Sequence, residues 1–197
     1  DQIIKNKISI IFQDPMSFLN PSMRCGSQIK EALNKKNKND VLQLIKKVKI
    51  ENSEEAYNKY PHELSGGQQQ RIMIAIAIAK SPDLIIADEA TSSLDSLIKK
   101  DIINLLIELK KEYKTSLIIV SHNLKLISNV SNDVVVMNKG KIVEKGTTLD
   151  VFNNPKNNYT KNLLLENKNL SKIFNGNNKK KKLILDVKKL KLSLSNK

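Results

Sequence analysis

Two apolar runs, Asp83 to Ala87 (DLIIA) and Ser116 to Val120 (SLIIV), each end in polar residues, and one amphipathic stretch from about Leu97 to Tyr113 joins them. Short β-branched runs of this kind read as buried strands, and the stretch between them has the period of a helix. A strand, a crossover helix and a second strand place the two strands side by side and parallel. That unit commits the chain to the α/β class with a parallel sheet. It also says where to look for chemistry, because such sheets bind ligands beyond the carboxyl ends of their strands. The residues there are Asp88-Glu89 after the first run and Ser121-His122 after the second.

The rest of the chain can be ordered around this unit. Lys7 to Phe12 (KISIIF) reads as a further buried strand, followed by a loop with prolines at 15 and 21. From Ser27 to about Ala56 the pattern is helical, with Ile29, Leu33, Val41, Leu44, Ile45 and Val48 recurring at helical spacing around a Lys/Asn turn at 34–39. Ser65-Gly66-Gly67 opens an Ala/Ile helix that Ser81-Pro82 stops. A helix is expected over 124–130, and two strands over 133–137 and 141–144 flank the turn Asn138-Lys139-Gly140. After Asn153 the composition turns to Asn and Lys as far as Lys182, which reads as a linker. Leu183 to Leu194 regains strand-like alternation.

Composition narrows the function. The formal charge is +14, but the excess is nearly all Lys, and aromatics make up only 4%. That is too few for a stacking surface, so a nucleic-acid partner is not expected. One cysteine and two histidines exclude an internal disulfide and argue against a zinc site. No apolar run approaches the roughly 18–20 residues needed to span a bilayer.

The strongest local signal is Leu64-Ser65-Gly66-Gly67-Gln68. Two glycines allow close backbone approach, and a helix N-terminus offers free N–H groups and a favourable dipole to an anion. The plain structural alternative is a Ser N-cap. Asp88 at a strand end can hold Mg²⁺, and Glu89 beside it can orient and deprotonate a water; the alternative is an acidic cap. His122 could hydrogen-bond a terminal phosphate, or simply cap a helix. Gln13 has a carbonyl for Mg²⁺ and an amide for water, or is a loop residue.

Together, Gln13, LSGGQ at 64–68, IIADE at 85–89, Ser93-Leu94-Asp95 and His122 stand in the order and spacing of the ABC ATPases, and the resemblance covers residues 7 to 165. It implies a partial P-loop NTPase domain at 1–165, with an inserted helical subdomain at about 20–80. Two such domains would hold ATP between them, head to tail. Ser65, Gly66, Gly67 and Gln68 would touch a γ-phosphate bound on the partner domain. Asp88 and Gln13 would serve Mg²⁺, Glu89 would be the general base and His122 the γ-phosphate sensor. Gln13 would couple the nucleotide to a transmembrane permease subunit, and Asp95 would bridge the two domains. QDPMSFLNP at 13–21, Tyr60 to Glu63, QQQRIM at 68–73 and 154–164 resemble the oligopeptide and dipeptide importers. The implied place is the cytoplasmic face of the inner or plasma membrane, held peripherally. Some members carry two fused domains, so 166–182 is expected to be a linker and 183–197 the first strand of a second domain.

The chain also departs from that pattern. Ala90 stands where this group usually has Pro, Ser93 where Ala is usual, and Lys49 where Gly is usual; a cysteine cluster found in some members is absent. No G-x-x-x-x-G-K-[ST] phosphate loop occurs in these residues. Roughly ninety residues would precede Asp1 in the family pattern, judged by the usual place of that loop. The isolated chain is therefore expected to expose a sheet edge and part of its core, not to fold robustly, and not to hydrolyse ATP alone. Two other readings compete: a soluble ABC ATPase acting on nucleic acid or the ribosome, and a non-enzymatic remnant.

Overall fold

The structure is a computed structural model that describes residues 7–33, 37–92 and 94–166. These fall into two compact units, divided after Val120.

The first unit holds the parallel sheet. β1 (Ile8–Ile11), β2 (Leu84–Asp88) and β3 (Ser116–Val120) lie in the order β1-β2-β3, with Ile11, Ala87 and Ile119 in register. α6 (Ser96–Glu112) is the crossover between β2 and β3, and its Ile102, Leu105, Leu106 and Leu109 are buried. Between β1 and β2 the chain makes an excursion of helices: α1 (Pro15–Phe18), α2 (Cys25–Ala32), α3 (Lys38–Lys47), α4 (Ser53–Asn58), a 3₁₀ turn at Pro61–Glu63, and α5 (Gly66–Ile78). α5 packs on β1 and α6 as well as on α1, α2 and α3. A helix with neighbours on all sides must be apolar all round, which explains why Ile72 to Ala75 are each fully buried.

Three expectations need correction. The stretch 13–21 is not all loop: Asp14 caps α1, its carboxylate accepting from Met16 N–H at 3.0 Å and Ser17 Oγ at 2.6 Å, with Pro15 in the first turn. β1 is not a buried strand. Ile11 is buried, but Ile8 and Ile10 are exposed. β3 is likewise only half-buried, and Val120 is exposed. Both are outer strands of the described sheet, and the face carrying Ile8, Ile10, Ile86 and Ile118 is only partly covered, whereas Ile11, Ile85 and Ala87 on the other face are sealed.

α3 ends without the glycine its geometry favours. Lys49 has φ 62°, Lys49 N–H donates to Lys46 C=O at 2.8 Å and Ile50 N–H to Ile45 C=O at 3.3 Å, with Ile45 and Ile50 both buried. This is a Schellman end with lysine at the left-handed position. The Lys49 ammonium pairs with Glu108 of α6 at 2.6 Å, and Lys47 pairs with Glu112 at 2.5 Å, tying α3 to α6.

In the second unit, α7 (Leu124–Val130) precedes the antiparallel hairpin β4 (Asp133–Asn138) and β5 (Lys141–Thr147). The hairpin turns through Lys139 and Gly140, both at positive φ (47° and 74°), as a two-residue primed turn requires. α8 (Thr148–Asn153) and α9 (Asn158–Glu166) follow. α9 corrects the linker reading of the residues just after Asn153. The Glu144 carboxylate accepts from Lys156 N–H (2.8 Å) and Asn157 N–H (3.1 Å), fixing the approach to α9. The proposed linker beyond Glu166 and the proposed strand at 183–197 lie outside the described residues.

Candidate functional site

α5 starts where the sequence places it. Ser65 is its N-cap: Ser65 Oγ accepts from Gln68 N–H at 3.3 Å, and Gln68 Oε1 accepts from Ser65 N–H at 3.0 Å. The two readings of Ser65 are therefore compatible. Its hydroxyl oxygen caps the helix as an acceptor, and its proton stays available to a ligand. Gln69 N–H is taken by Ser65 C=O at 2.9 Å. The N–H groups of Gly66 and Gly67 come ahead of any intrahelical acceptor, so this end keeps donors for an anion. Ser65 and Gly66 are exposed, and Gly67 is buried.

The two glycines serve different ends. A Cβ on Gly66 would meet only Leu94 Cδ2 at 3.8 Å, an ordinary contact. One on Gly67 would sit 3.0 Å from Ile98 Cγ2. Gly67 thus lets α5 lie close on α6, while Gly66 keeps the open surface bare. Sequence reasoning assigned both to the ligand and missed the packing role. These contacts also bring the Leu94-Asp95 segment beside the start of α5. Asp95 caps α6, its Oδ1 accepting from Leu97 N–H (3.1 Å) and Ile98 N–H (3.0 Å).

Asp88 is the last residue of β2 and is exposed; Glu89 follows it, half-buried. Glu89 has φ 46°, a left-handed conformation that no sequence pattern signalled. Gln13 leaves the same end of the neighbouring strand β1, two residues past Ile11, and is exposed. Gln13, Asp88 and Glu89 therefore emerge at the carboxyl edge of one parallel sheet. An exposed carboxylate and an amide carbonyl suit Mg²⁺, which keeps several waters and takes few protein oxygens.

His122 belongs to the second unit and stands two residues beyond the end of β3. It is exposed, and it is not the cap of α7: that role falls to Asn123, whose Oδ1 accepts from Leu126 N–H at 3.0 Å. His62, exposed in the 3₁₀ turn, stacks on Tyr60. Cys25 is buried, and desolvation pushes its thiol up to about 11, so it stays protonated and inert.

Comparison with known proteins bears on the family and the fold. Residues 1–92 match the family described as ABC transporter. Among solved structures, the dimeric post-hydrolysis state of the ATP-binding cassette MJ0796 bound to ADP and Pi superposes with a TM-score of 0.64 at 27% identity, covering 75% of this chain and 66% of that one. The cbiO1 protein of Clostridium perfringens gives 0.65 at 26% identity, covering 86% and 65%. The chain carries part of an ABC ATPase cassette.

Its curated relatives narrow the group. The oligopeptide transport ATP-binding protein OppD of Lactococcus lactis subsp. cremoris is 43% identical over 169 residues, 82% of this chain and 50% of that protein. The dipeptide transport ATP-binding protein DppD of Haemophilus influenzae is 46% identical over 170 residues, 83% of this chain and 52% of that protein. The chain spans about half the length of these relatives.

Proposed function

We propose that this chain supplies the signature surface, the Mg²⁺ carboxylate and the general base of an ATPase that drives a peptide importer. The observation that carries the reading is the start of α5. Exposed Ser65 presents a hydroxyl and exposed Gly66 an N–H that precedes any intrahelical acceptor, directly beside Leu94-Asp95. Such a surface receives the γ-phosphate of ATP cradled by a second cassette, and the dimeric state of the MJ0796 cassette supports this arrangement. Asp88 and Gln13 would hold Mg²⁺, which would neutralise charge developing on the phosphates. Glu89 takes the proton of the attacking water, and His122 contacts the γ-phosphate from the end of β3. Asp95, whose Oδ1 is engaged in its own helix cap, bridges the two domains.

The partner at the membrane is a permease. Phe12, Met16 and Phe18 stand exposed around Gln13, with the Phe12 and Phe18 rings 5.3 Å apart. Next to them a groove of about 340 Å³ is lined by Phe18, Met23, Gln28, Glu31 and Ile76 among others. Among the described residues no helix is long and apolar enough to cross a membrane. Oligopeptides or dipeptides are the cargo by analogy with OppD and DppD, and the working place is the cytoplasmic face of the membrane.

Gly66→Glu tests the reading. The site has room for a side chain, so the variant keeps its fold and thermal stability, but it sets a carboxylate in the phosphate path. In an ATPase assembly that contains this chain and supplies a phosphate loop, turnover falls by about 10²-fold or more, the scale of losing a phosphate-stabilising site. Unchanged turnover would remove the signature reading.

A further inference from the structure

We propose that Ser92 is a positioning residue: it holds Glu89 in its left-handed backbone conformation and so aims the carboxylate. The inference rests on the reading of Glu89 as general base.

Residues with a Cβ enter the left-handed region against steric resistance. They stay there only where the surroundings over-determine the conformation, and such places cluster at working sites. Three hydrogen bonds grip the backbone at Glu89 from both sides. Its N–H donates to Val120 C=O at 3.0 Å, extending the β2–β3 pairing one residue past Asp88. Its C=O accepts from Ser92 N–H at 2.9 Å and from Ser92 Oγ at 3.0 Å. The last two close the turn Glu89 to Ser92 from the far side. Ala90 and Thr91 inside it are 5% and 8% exposed, so the turn is anchored in the core.

The direction of the Glu89 side chain follows from this grip. Return from φ 46° to the ordinary region near −60° turns Cβ by roughly 100° about the N–Cα bond. A carboxylate at the end of that side chain then misses the water it should activate, and misplacement of about 1 Å already costs about a hundredfold in rate. Ala90 matters here as well. A proline at that position would push the residue before it toward extended backbone, away from φ 46°; alanine leaves that bias out.

Two measurements test this. In an ATPase assembly containing the chain, Ser92→Ala lowers kcat about tenfold, the worth of one well-placed hydrogen bond, and leaves KM for ATP unchanged. Ser92→Thr, which keeps the hydroxyl, restores the rate. In a Glu89→Gln background Ser92→Ala adds no further loss, because a residue acting through Glu89 has nothing left to aim. The second measurement does not depend on turnover. In NMR of the same assembly, a strong intraresidue HN–Hα NOE marks Glu89 as left-handed; it persists in Ser92→Thr and weakens several-fold in Ser92→Ala, as a tenfold loss of the aimed conformation requires. The proposal is overturned if Ser92→Ala leaves that NOE intact, or if its loss of kcat is undiminished beside Glu89→Gln. If Glu89→Gln itself turns over like wild type, the reading of Glu89 as base fails, and the NOE alone decides whether Ser92 holds the backbone.

Discussion

Lys49 offers a sharp test of the local physics. It sits at φ 62° just past α3, with both hydrogen bonds of a Schellman end in place. At such a position a Cβ costs about 1 kcal/mol relative to glycine, part of which glycine's greater freedom in the unfolded chain offsets. Lys49 also pairs with Glu108 at 2.6 Å, with side chains 50% and 57% exposed. An ion pair that open contributes at most a few tenths of a kcal/mol. Lys49→Ala separates the two effects, since it removes the charge and keeps the Cβ. The expected order is therefore Gly above Lys, with Ala equal to Lys or slightly below. Gly should exceed Ala by about 0.5–1 kcal/mol, or about 1–4 °C in Tm for a domain of this size. Urea unfolding of an ATPase assembly that contains the chain, followed by the change in helical circular dichroism, reads the difference directly. If Lys49→Gly is no more stable than Lys49→Ala, the left-handed end of α3 is wrong.

Two further outcomes follow from the packing and the caps. A Cβ on Gly26 would lie 2.2 Å from Tyr57 Cδ2, inside the ring's own space. Gly26→Ala should destabilise by about 1–3 kcal/mol, and shortening Tyr57 to Leu should recover part of it in the same unfolding assay. Burial pushes the Glu144 carboxyl up, but hydrogen bonds from Lys156 and Asn157 N–H outweigh this and hold it below its ordinary 4.5. The folded state thus favours the carboxylate: its contribution is complete above the unfolded value and is lost as pH falls through the lower folded one. Amide exchange should show α9 loosening over that acid range, and Glu144→Gln should remove the pH dependence.

The elements that local pattern controls were legible in the sequence. The β2–α6–β3 unit, the start of α5 at Ser65 and the bounds of α7 follow from periodicity, caps and breakers. What escaped depends on partners distant in the chain. The burial of β1 and β3 is set by what lies beside them, which an apolar run does not report. α9 hides in Asn/Lys-rich sequence because its anchor, Glu144, lies twelve residues before Lys156. Of the site, the residue types at the strand ends and at LSGGQ were visible. The division of labour between Gly66 and Gly67 was not, because Ile98 decides it. Nor was the left-handed Glu89, which depends on Val120 and Ser92 closing around it. Lys49 shows the converse: its oddity in the sequence, a lysine where glycine is usual, marks a real left-handed position.

The central claim is that Glu89 serves as the base of an ATPase completed by a second cassette. The direct measurement is ATP turnover, alongside ATP binding, of an assembly containing this chain with Glu89 or Gln at that position. The account predicts retained ATP binding with turnover reduced by about 10²–10⁴-fold, the range for loss of a general base. Turnover within about twofold of wild type, a barrier change under about 0.5 kcal/mol, would contradict it.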